Sequence, residues 1–259
     1  MLFRSMVENS IGNLDCSTTP EITAAVWSVL SSRSAEDGFY TFFDIGDGTL
    51  DGTAFRFWRT EEGDLHMDFY KGKVEPLGVT AFTQQAATEL DSSPETIRQA
   101  LTDTSDHDLK SKIQKSQVRH KVQQLVGTVV IQGNKKHRNS RHVFVNDDIG
   151  KNLQVFVGGG GGNASFFQDA IQSTHREFQQ GNAGIPPYKI RQILPPKDFL
   201  SINGLDPKEF NRFAVAYGLC IPEWEGPEIR LPSQIETNKT PIRQVISRPA
   251  RYEDTKDMM

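Results

Sequence analysis

Apolar positions follow two rhythms along this chain. In the first third they come in short alternating or continuous runs. Residues 39–43 read as an apolar strand that enters a turn at Gly46 and Gly48, and residues 53–59 as the return strand of a hairpin. Residues 65–70 read as a third strand, with Leu65, Met67 and Phe69 on one face and His66, Asp68 and Tyr70 on the other. Ahead of them, residues 20–30 read as a short helix. In the middle the rhythm changes. Ile113, Val118, Val122, Leu125, Val126 and Val129 recur at three-to-four-residue spacing, which predicts a helix with one buried face and basic neighbours outside. After a polar loop at 135–140, residues 153–157 read as a buried strand running into five glycines, Gly158 to Gly162, followed by a helix over 165–178. Asp206-Pro207-Lys208-Glu209 has the N-cap, N1 proline and N3 glutamate of a capping box, so a helix is expected to start there and stop at Gly218. Beyond 222 the chain is rich in proline and charge, and from about 237 it is expected to be disordered.

This alternation predicts an α/β class, and no fixed-period repeat points to a solenoid or propeller. The expected organisation is an N-terminal segment 1–19, a lobe 20–235 with a helical insertion at about 84–150, and a tail 236–259. At 259 residues with 36% hydrophobic content the chain can fill a core, and no run of eighteen apolar residues predicts a membrane span. Cys16 and Cys220 have no Cys or His at metal-ligand spacing, so both are read as inert thiols of a reducing, cytoplasmic compartment. The six histidines show no ligand spacing either and are read as surface or loop residues. Charge is segregated: nine of the basic residues and no acidic one lie between Lys110 and Arg141, so of a net −4 the remainder carries −13. No aromatic residues interleave with that basic stretch, which favours a solvated helix over a nucleic-acid surface.

The candidate chemistry lies in the glycine-rich turns. Asp44-Ile45-Gly46-Asp47-Gly48-Thr49-Leu50-Asp51 resembles the second phosphate loop of the actin, heat-shock chaperone and sugar kinase superfamily. A hairpin of this kind exposes consecutive backbone N–H groups to an anion, with glycines for close approach and positive φ. Further similarities follow in the family's order. Glu21-Ile22-Thr23-Ala24-Ala25 is similar to the chaperones' Glu-Pro-Thr-Ala-Ala segment, and Leu77-Gly78 falls where the family has a Leu-Gly pair. Val157-Gly158-Gly159-Gly160 resembles the adenosine loop, and Ala214-Val215-Ala216-Tyr217-Gly218 the family's Ala-x-Ala-x-Gly helix. The resemblance covers about residues 20–219 and is nearest to bacterial relatives of the seventy-kilodalton heat-shock chaperones. It implies the C-terminal lobe of an actin-like ATPase domain, of ribonuclease H-like fold, a mixed sheet with flanking helices and a small helical subdomain.

The same resemblance implies the roles. Asp44 would hold the hydration shell of Mg²⁺, Thr49 would face the γ-phosphate and Glu21 would orient the attacking water. Gly46, Asp47 and Gly48 would line the phosphates. Gly158, Gly159 and Gly160 would let the backbone approach ribose, α-phosphate and adenine at a helix N-terminus. ATP and Mg²⁺ are the implied cofactors, and hydrolysis the implied reaction once a complementary lobe is present.

Two departures stand out. Asp47 replaces the usual glycine; at about 5 Å and an effective dielectric near 20, its repulsion of a phosphate charge is on the order of 3 kcal/mol, roughly a hundredfold in affinity. Nothing between Met1 and Pro20 resembles the family's first phosphate hairpin, so the other half of the cleft is expected from a missing N-terminal lobe or another chain. The rival expectation is a degenerate actin-like scaffold that binds partners without nucleotide turnover. A dinucleotide-binding reading of Gly158 to Gly162 is weaker, because the acidic residue expected about 20 positions on is matched only by Glu177, inside the predicted helix.

Overall fold

The computed structural model describes residues 20–30, 35–102, 106–140, 151–178, 181, 184–196, 204 and 206–236. The segment before Pro20, the tail from residue 237, Cys16 and His142 lie outside the described residues.

Strands β1 (Gly38–Ile45), β2 (Leu50–Arg59) and β3 (Leu65–Glu75) form an antiparallel meander. β4 (Leu153–Gly158) adds parallel to the other side of β1, and β5 (Tyr188–Gln192) parallel to β4. A short β6 (Glu228–Arg230) adds parallel to β3, giving the order β5-β4-β1-β2-β3-β6. The expected α/β class, a mixed sheet with flanking helices, is what the chain adopts. Because β1 and β4 are parallel neighbours, their carboxyl ends open side by side, with Asp44 paired to Gly158. One then turns into a hairpin and the other into a helix, which leaves a crevice between them.

Strand alternation divides the apolar residues between two layers. Phe39, Phe43, Ile45 and Tyr70 point into one core with α2 (Val79–Glu89), α3 (Pro94–Thr102), α4 (His107–Gln114), α5 (Gln117–Arg138) and α6 (Ser165–Glu177). Tyr40, Phe42, Phe55, Phe57, Met67 and Phe69 point into the other, beneath α1 (Glu21–Leu30), a 3₁₀ turn (Pro207–Arg212) and α7 (Ala214–Leu219). The expected separation of Met67 and Phe69 from Tyr70 is therefore observed. α1 and α7 cross tightly: a Cβ on Gly218 would overlap the Ala24 carbonyl. The alanines of residues 21–25 and the glycine of residues 214–218 are thus two sides of one helix contact. On the edge, buried Asp68 receives Arg230 Nε at 2.6 Å and Nη2 at 2.7 Å and the Trp58 indole at 3.1 Å, which fixes β6 to β3.

Several expectations need correction. Residues 135–138 are the last turn of α5, where Lys135, Lys136 and Arg138 complement the negative end of the helix dipole, so the expected loop begins later. Arg119 does not face solvent. It is buried against α6, with Nη2 3.0 Å from Asp169 and 2.8 Å from the Ser173 hydroxyl, because two acidic residues on that helix give its charge partners. The capping-box segment forms the 3₁₀ turn, and a break at Phe213 precedes α7, so the predicted single helix is two pieces.

His137 is likewise buried, with its ring stacked 4.9 Å from Phe39 and edge-on to Tyr70. Desolvation, with Arg56 and Arg138 nearby, pushes its pKa down to about 4. The native state therefore holds a neutral imidazole while the unfolded chain protonates near pH 6.5, so this contribution is intact above pH 6.5 and is lost as pH falls toward 4. A His137→Phe variant should gain about 3 kcal/mol on the native protein between pH 7 and pH 4, measured by urea unfolding at the two pH values. A pH-independent difference would contradict a buried neutral imidazole.

Candidate functional site

The site grows from two tight turns at the carboxyl ends of β1 and β4. After Ile45 the chain closes a hairpin in which Gly46 N–H donates to the Thr49 carbonyl at 3.0 Å. The start of α2 grips this hairpin. Gly78 N–H donates to Gly48, Val79 N–H to Gly46 and Thr80 N–H to Asp47, at 3.2, 3.0 and 2.8 Å. These contacts satisfy donors that a helix N-terminus otherwise leaves open. A side chain at Gly78 would meet Gly46 O and Thr49 N at 2.6 Å, which is why the Leu77-Gly78 pair ends in glycine. No hairpin residue has positive φ, contrary to the expectation for this turn; the left-handed glycine of the site is Gly159, at φ 76°.

The second turn folds over the first. Gly161 N–H donates to the Ile45 carbonyl at 2.9 Å, and a Cβ on Gly161 would overlap the Ile45 side chain. A Cβ on Gly159 would overlap Asp44 Oδ1 and come within 2.5 Å of the Ile45 carbonyl. Asn211 of the 3₁₀ turn donates to the Gly159 carbonyl at 3.0 Å, and the loop then enters α6 at Ser165. Gly48 and Gly160 differ from these packed glycines. A Cβ on Gly48 would meet nothing within 4 Å, and one on Gly160 only Arg212 Nη2 at 4.0 Å. Internal packing demands no glycine there, and the backbone at both points is open to an incoming group.

Between the turns sits Asp44. Its Oδ1 is buried and has no hydrogen-bond partner among the described residues. Desolvation, then the charges of Glu21 and Asp51, raise its pKa to about 6. Asp51 is its cross-strand partner in the β1–β2 hairpin, has its own unpartnered buried Oδ1 and is raised by desolvation, an effect that its hydrogen bond with Thr49 opposes. Glu21, the exposed first residue of α1, completes the acidic group. Two carboxylates with unpartnered buried oxygen atoms and a third within electrostatic reach suit a hydrated divalent cation that arrives with an anion. Among the described residues no cluster of three or more ligand side chains is close enough to bind a metal directly.

Of the residues read from sequence, Asp44, Gly158 and Gly159 come together at the β1–β4 junction, Gly46, Asp47, Gly48 and exposed Thr49 form the adjoining hairpin, Gly160 is an exposed residue of the second turn, and Glu21 is within electrostatic reach of Asp44. Sequence reasoning missed Thr80, Arg98 and Asn211. Thr80 and Arg98 carry no local motif, and Asn211 sat inside the segment read as a regular helix. The Asp47 carboxylate is also not loose on the hairpin. Thr80 Oγ1 donates to its Oδ1 at 2.6 Å, and Arg98 Nη2 donates to that Thr80 oxygen at 2.7 Å. A cleft of about 580 Å³ elsewhere, on the α1 face beside Trp27, Pro222 and Trp224, has Glu228 as its single ionisable lining residue among the described residues.

No family model matches the sequence, and no curated protein matches it. Among solved structures the chain is similar to the ethanolamine utilization protein EutJ from Carboxydothermus hydrogenoformans, at 17% identity and TM-score 0.42, over 77% of this chain and 55% of that one. A chain of the PilM–PilN type IV pilus biogenesis complex matches at 15% identity and TM-score 0.43, over 78% and 51%. The archaeal actin homolog Ta0583 matches at 12% identity and TM-score 0.40, over 78% and 54%. The chain spans about half the length of each. Every one of these TM-scores is below 0.5, so the reading of the site rests on the chain's own residues.

Proposed function

We propose that the chain is the nucleotide-binding lobe of an actin-like ATPase, holding the phosphates of Mg-ATP between the 46–49 hairpin and the 158–162 turn. The observation that carries this reading is the Asp44 carboxylate, kept partly buried with an unpartnered oxygen where two glycine turns meet. An acid placed there without a partner destabilises the apo fold, and a cation supplies what is missing. In this reading Asp44 holds the hydration shell of Mg²⁺, and Gly48 and Gly160 give backbone access to the anion. Thr49 faces the terminal phosphate and Glu21 orients water. Mg²⁺ would supply charge neutralisation between the carboxylates and the phosphates. Kinship with the seventy-kilodalton chaperones and the 20–235 lobe boundary belong to the same proposal and rest on the sequence motifs; a cytoplasmic location is proposed with them from the cysteine usage.

Turnover needs water excluded and the terminal phosphate surrounded, and Asp47, Gly48, Thr49 and Gly160 are exposed in this chain. Hydrolysis is therefore proposed only with a complementary lobe, from the same polypeptide or another. ATP binding to this chain should require magnesium. Equilibrium dialysis with labelled ATP should show retention that falls at least tenfold when EDTA replaces Mg²⁺, and equal retention in both conditions would remove the cation role from Asp44.

A second reading, an interaction scaffold without nucleotide, is favoured by one observation. Trp224 is 86% exposed at the lip of the α1-face cleft, where an apolar partner surface would cover it. Weak ATP binding that is indifferent to Asp44→Ala would select this reading.

A further inference from the structure

The Asp47 carboxylate, in the 46–49 turn itself, opposes an anion, and the structure surrounds it with an arrangement that no sequence motif announces. Its backbone carbonyl accepts from Thr80 N–H at 2.8 Å and its Oδ1 from Thr80 Oγ1 at 2.6 Å, so two bonds tie it to the first turn of α2. The positive end of that helix favours a carboxylate there. A threonine hydroxyl has one hydrogen, and here it goes to Asp47. The Thr80 oxygen is then an acceptor, and Arg98 Nη2, reaching across from α3, donates to it at 2.7 Å. The guanidinium thus lies one hydroxyl away from the carboxylate, in a chain of two charge-assisted hydrogen bonds that polarise each other. A helix cap alone needs only the aspartate and the threonine. The added cation changes the charge that a ligand at the hairpin meets.

We propose that Arg98 is the charge-balancing residue of the phosphate hairpin. Acting through Thr80, it holds the Asp47 carboxylate on α2 and offsets its charge, and so lets a polyphosphate bind a loop in which aspartate stands for glycine. This rests on the nucleotide reading of the site and adds to it a preference. The benefit of Arg98 grows with the charge of the ligand, so it is larger for a triphosphate than for a monophosphate. Arg98 is a positioning residue, since its hydrogen bond is to Thr80 and not to a ligand.

The test is a double-mutant cycle on the full chain, with native protein, Arg98→Gln, Asp47→Asn and the double variant, titrated calorimetrically with Mg-ATP, AMP and magnesium pyrophosphate. Arg98→Gln should weaken Mg-ATP about tenfold in the native background and less than twofold in the Asp47→Asn background, because removing the carboxylate removes the need for the cation. The loss should be smaller for AMP, and Arg98→Lys should recover part of the Mg-ATP affinity. A purely structural role for Arg98 would give the same loss with or without the Asp47 charge, and that result overturns the proposal while leaving nucleotide binding intact. If Mg-ATP does not bind but pyrophosphate shows the coupling, the nucleotide reading fails and the charge-balancing role stands. If neither ligand binds any of the four proteins, both are overturned.

Discussion

Asp44→Asn is expected to stabilise the nucleotide-free protein at pH 8 by about 2–3 kcal/mol and to abolish its binding of Mg-ATP. The two effects have opposite signs because they come from the same carboxylate. Burial, with Glu21 and Asp51 nearby, raises its pKa from 3.8 to about 6. A carboxylate raised in the native state favours folding below its unfolded pKa, and that advantage is lost as pH rises through the native value. The gain from Asn should therefore be full above pH 7 and vanish below pH 4, where native Asp44 is protonated as well. His137 runs the other way over nearly the same interval, as its stabilising contribution falls between pH 6.5 and 4. The native protein should thus look flatter in pH than either group alone, and Asp44→Asn should expose the acid loss due to His137. Urea unfolding at pH 4, 6 and 8 checks this. A variant less stable than native at pH 8 would mean that Asp44 is partnered rather than poised for a ligand.

Gly159→Ala carries the second large effect. The residue sits at φ 76°, where a side chain costs roughly 1–2 kcal/mol. Its Cβ would also overlap Asp44 Oδ1 and approach the Ile45 carbonyl at 2.5 Å, neither of which can withdraw without opening the β1–β4 junction. The expected loss is about 3–5 kcal/mol, a fall of roughly 10 °C in Tm. Gly160→Ala, one residue on, should leave Tm within a few degrees, since its nearest neighbour is 4.0 Å away, while still weakening nucleotide. Calorimetric scans of both variants separate glycine kept for packing from glycine kept for a ligand. Equal Tm values for the two would contradict the packing of the 158–162 turn described above.

Much of the architecture was legible because strand and helix periods differ and each segment is amphipathic. Met67 and Phe69 separate from Tyr70 in sequence as they do across the sheet, and the glycine-rich turns fall at strand ends. What could not be read were interactions that join distant segments. The Thr80 and Arg98 chain spans three elements, and neither residue has a neighbour in sequence that marks it. Arg119 and His137 resemble surface residues until α6 and β1 are packed on α5, because a basic side chain enters a core only when partners elsewhere in the chain receive it. The capping-box signature at residues 206–209 is local and starts a turn as well as a helix. Here it starts a 3₁₀ turn, from which Asn211 reaches back to the Gly159 carbonyl.

From the motifs, the glycines are expected to serve close approach to a ligand and positive φ; in the structure, packing against neighbouring residues is a further reason. Gly78, Gly159, Gly161 and Gly218 are required by neighbours inside the fold, whereas Gly48 and Gly160 are not. A pattern of glycines is blind to this difference, since both uses leave the same letter. The glycines with nothing to pack against are the ones that point to a ligand.

The most direct test of the account is a calorimetric titration of the purified chain with Mg-ATP at pH 7.5, beside Asp44→Ala. Saturable one-to-one binding by the native chain is expected, lost or weakened at least a hundredfold in the variant. Binding of equal strength in both proteins, or none in the native chain, would contradict a nucleotide site built around Asp44.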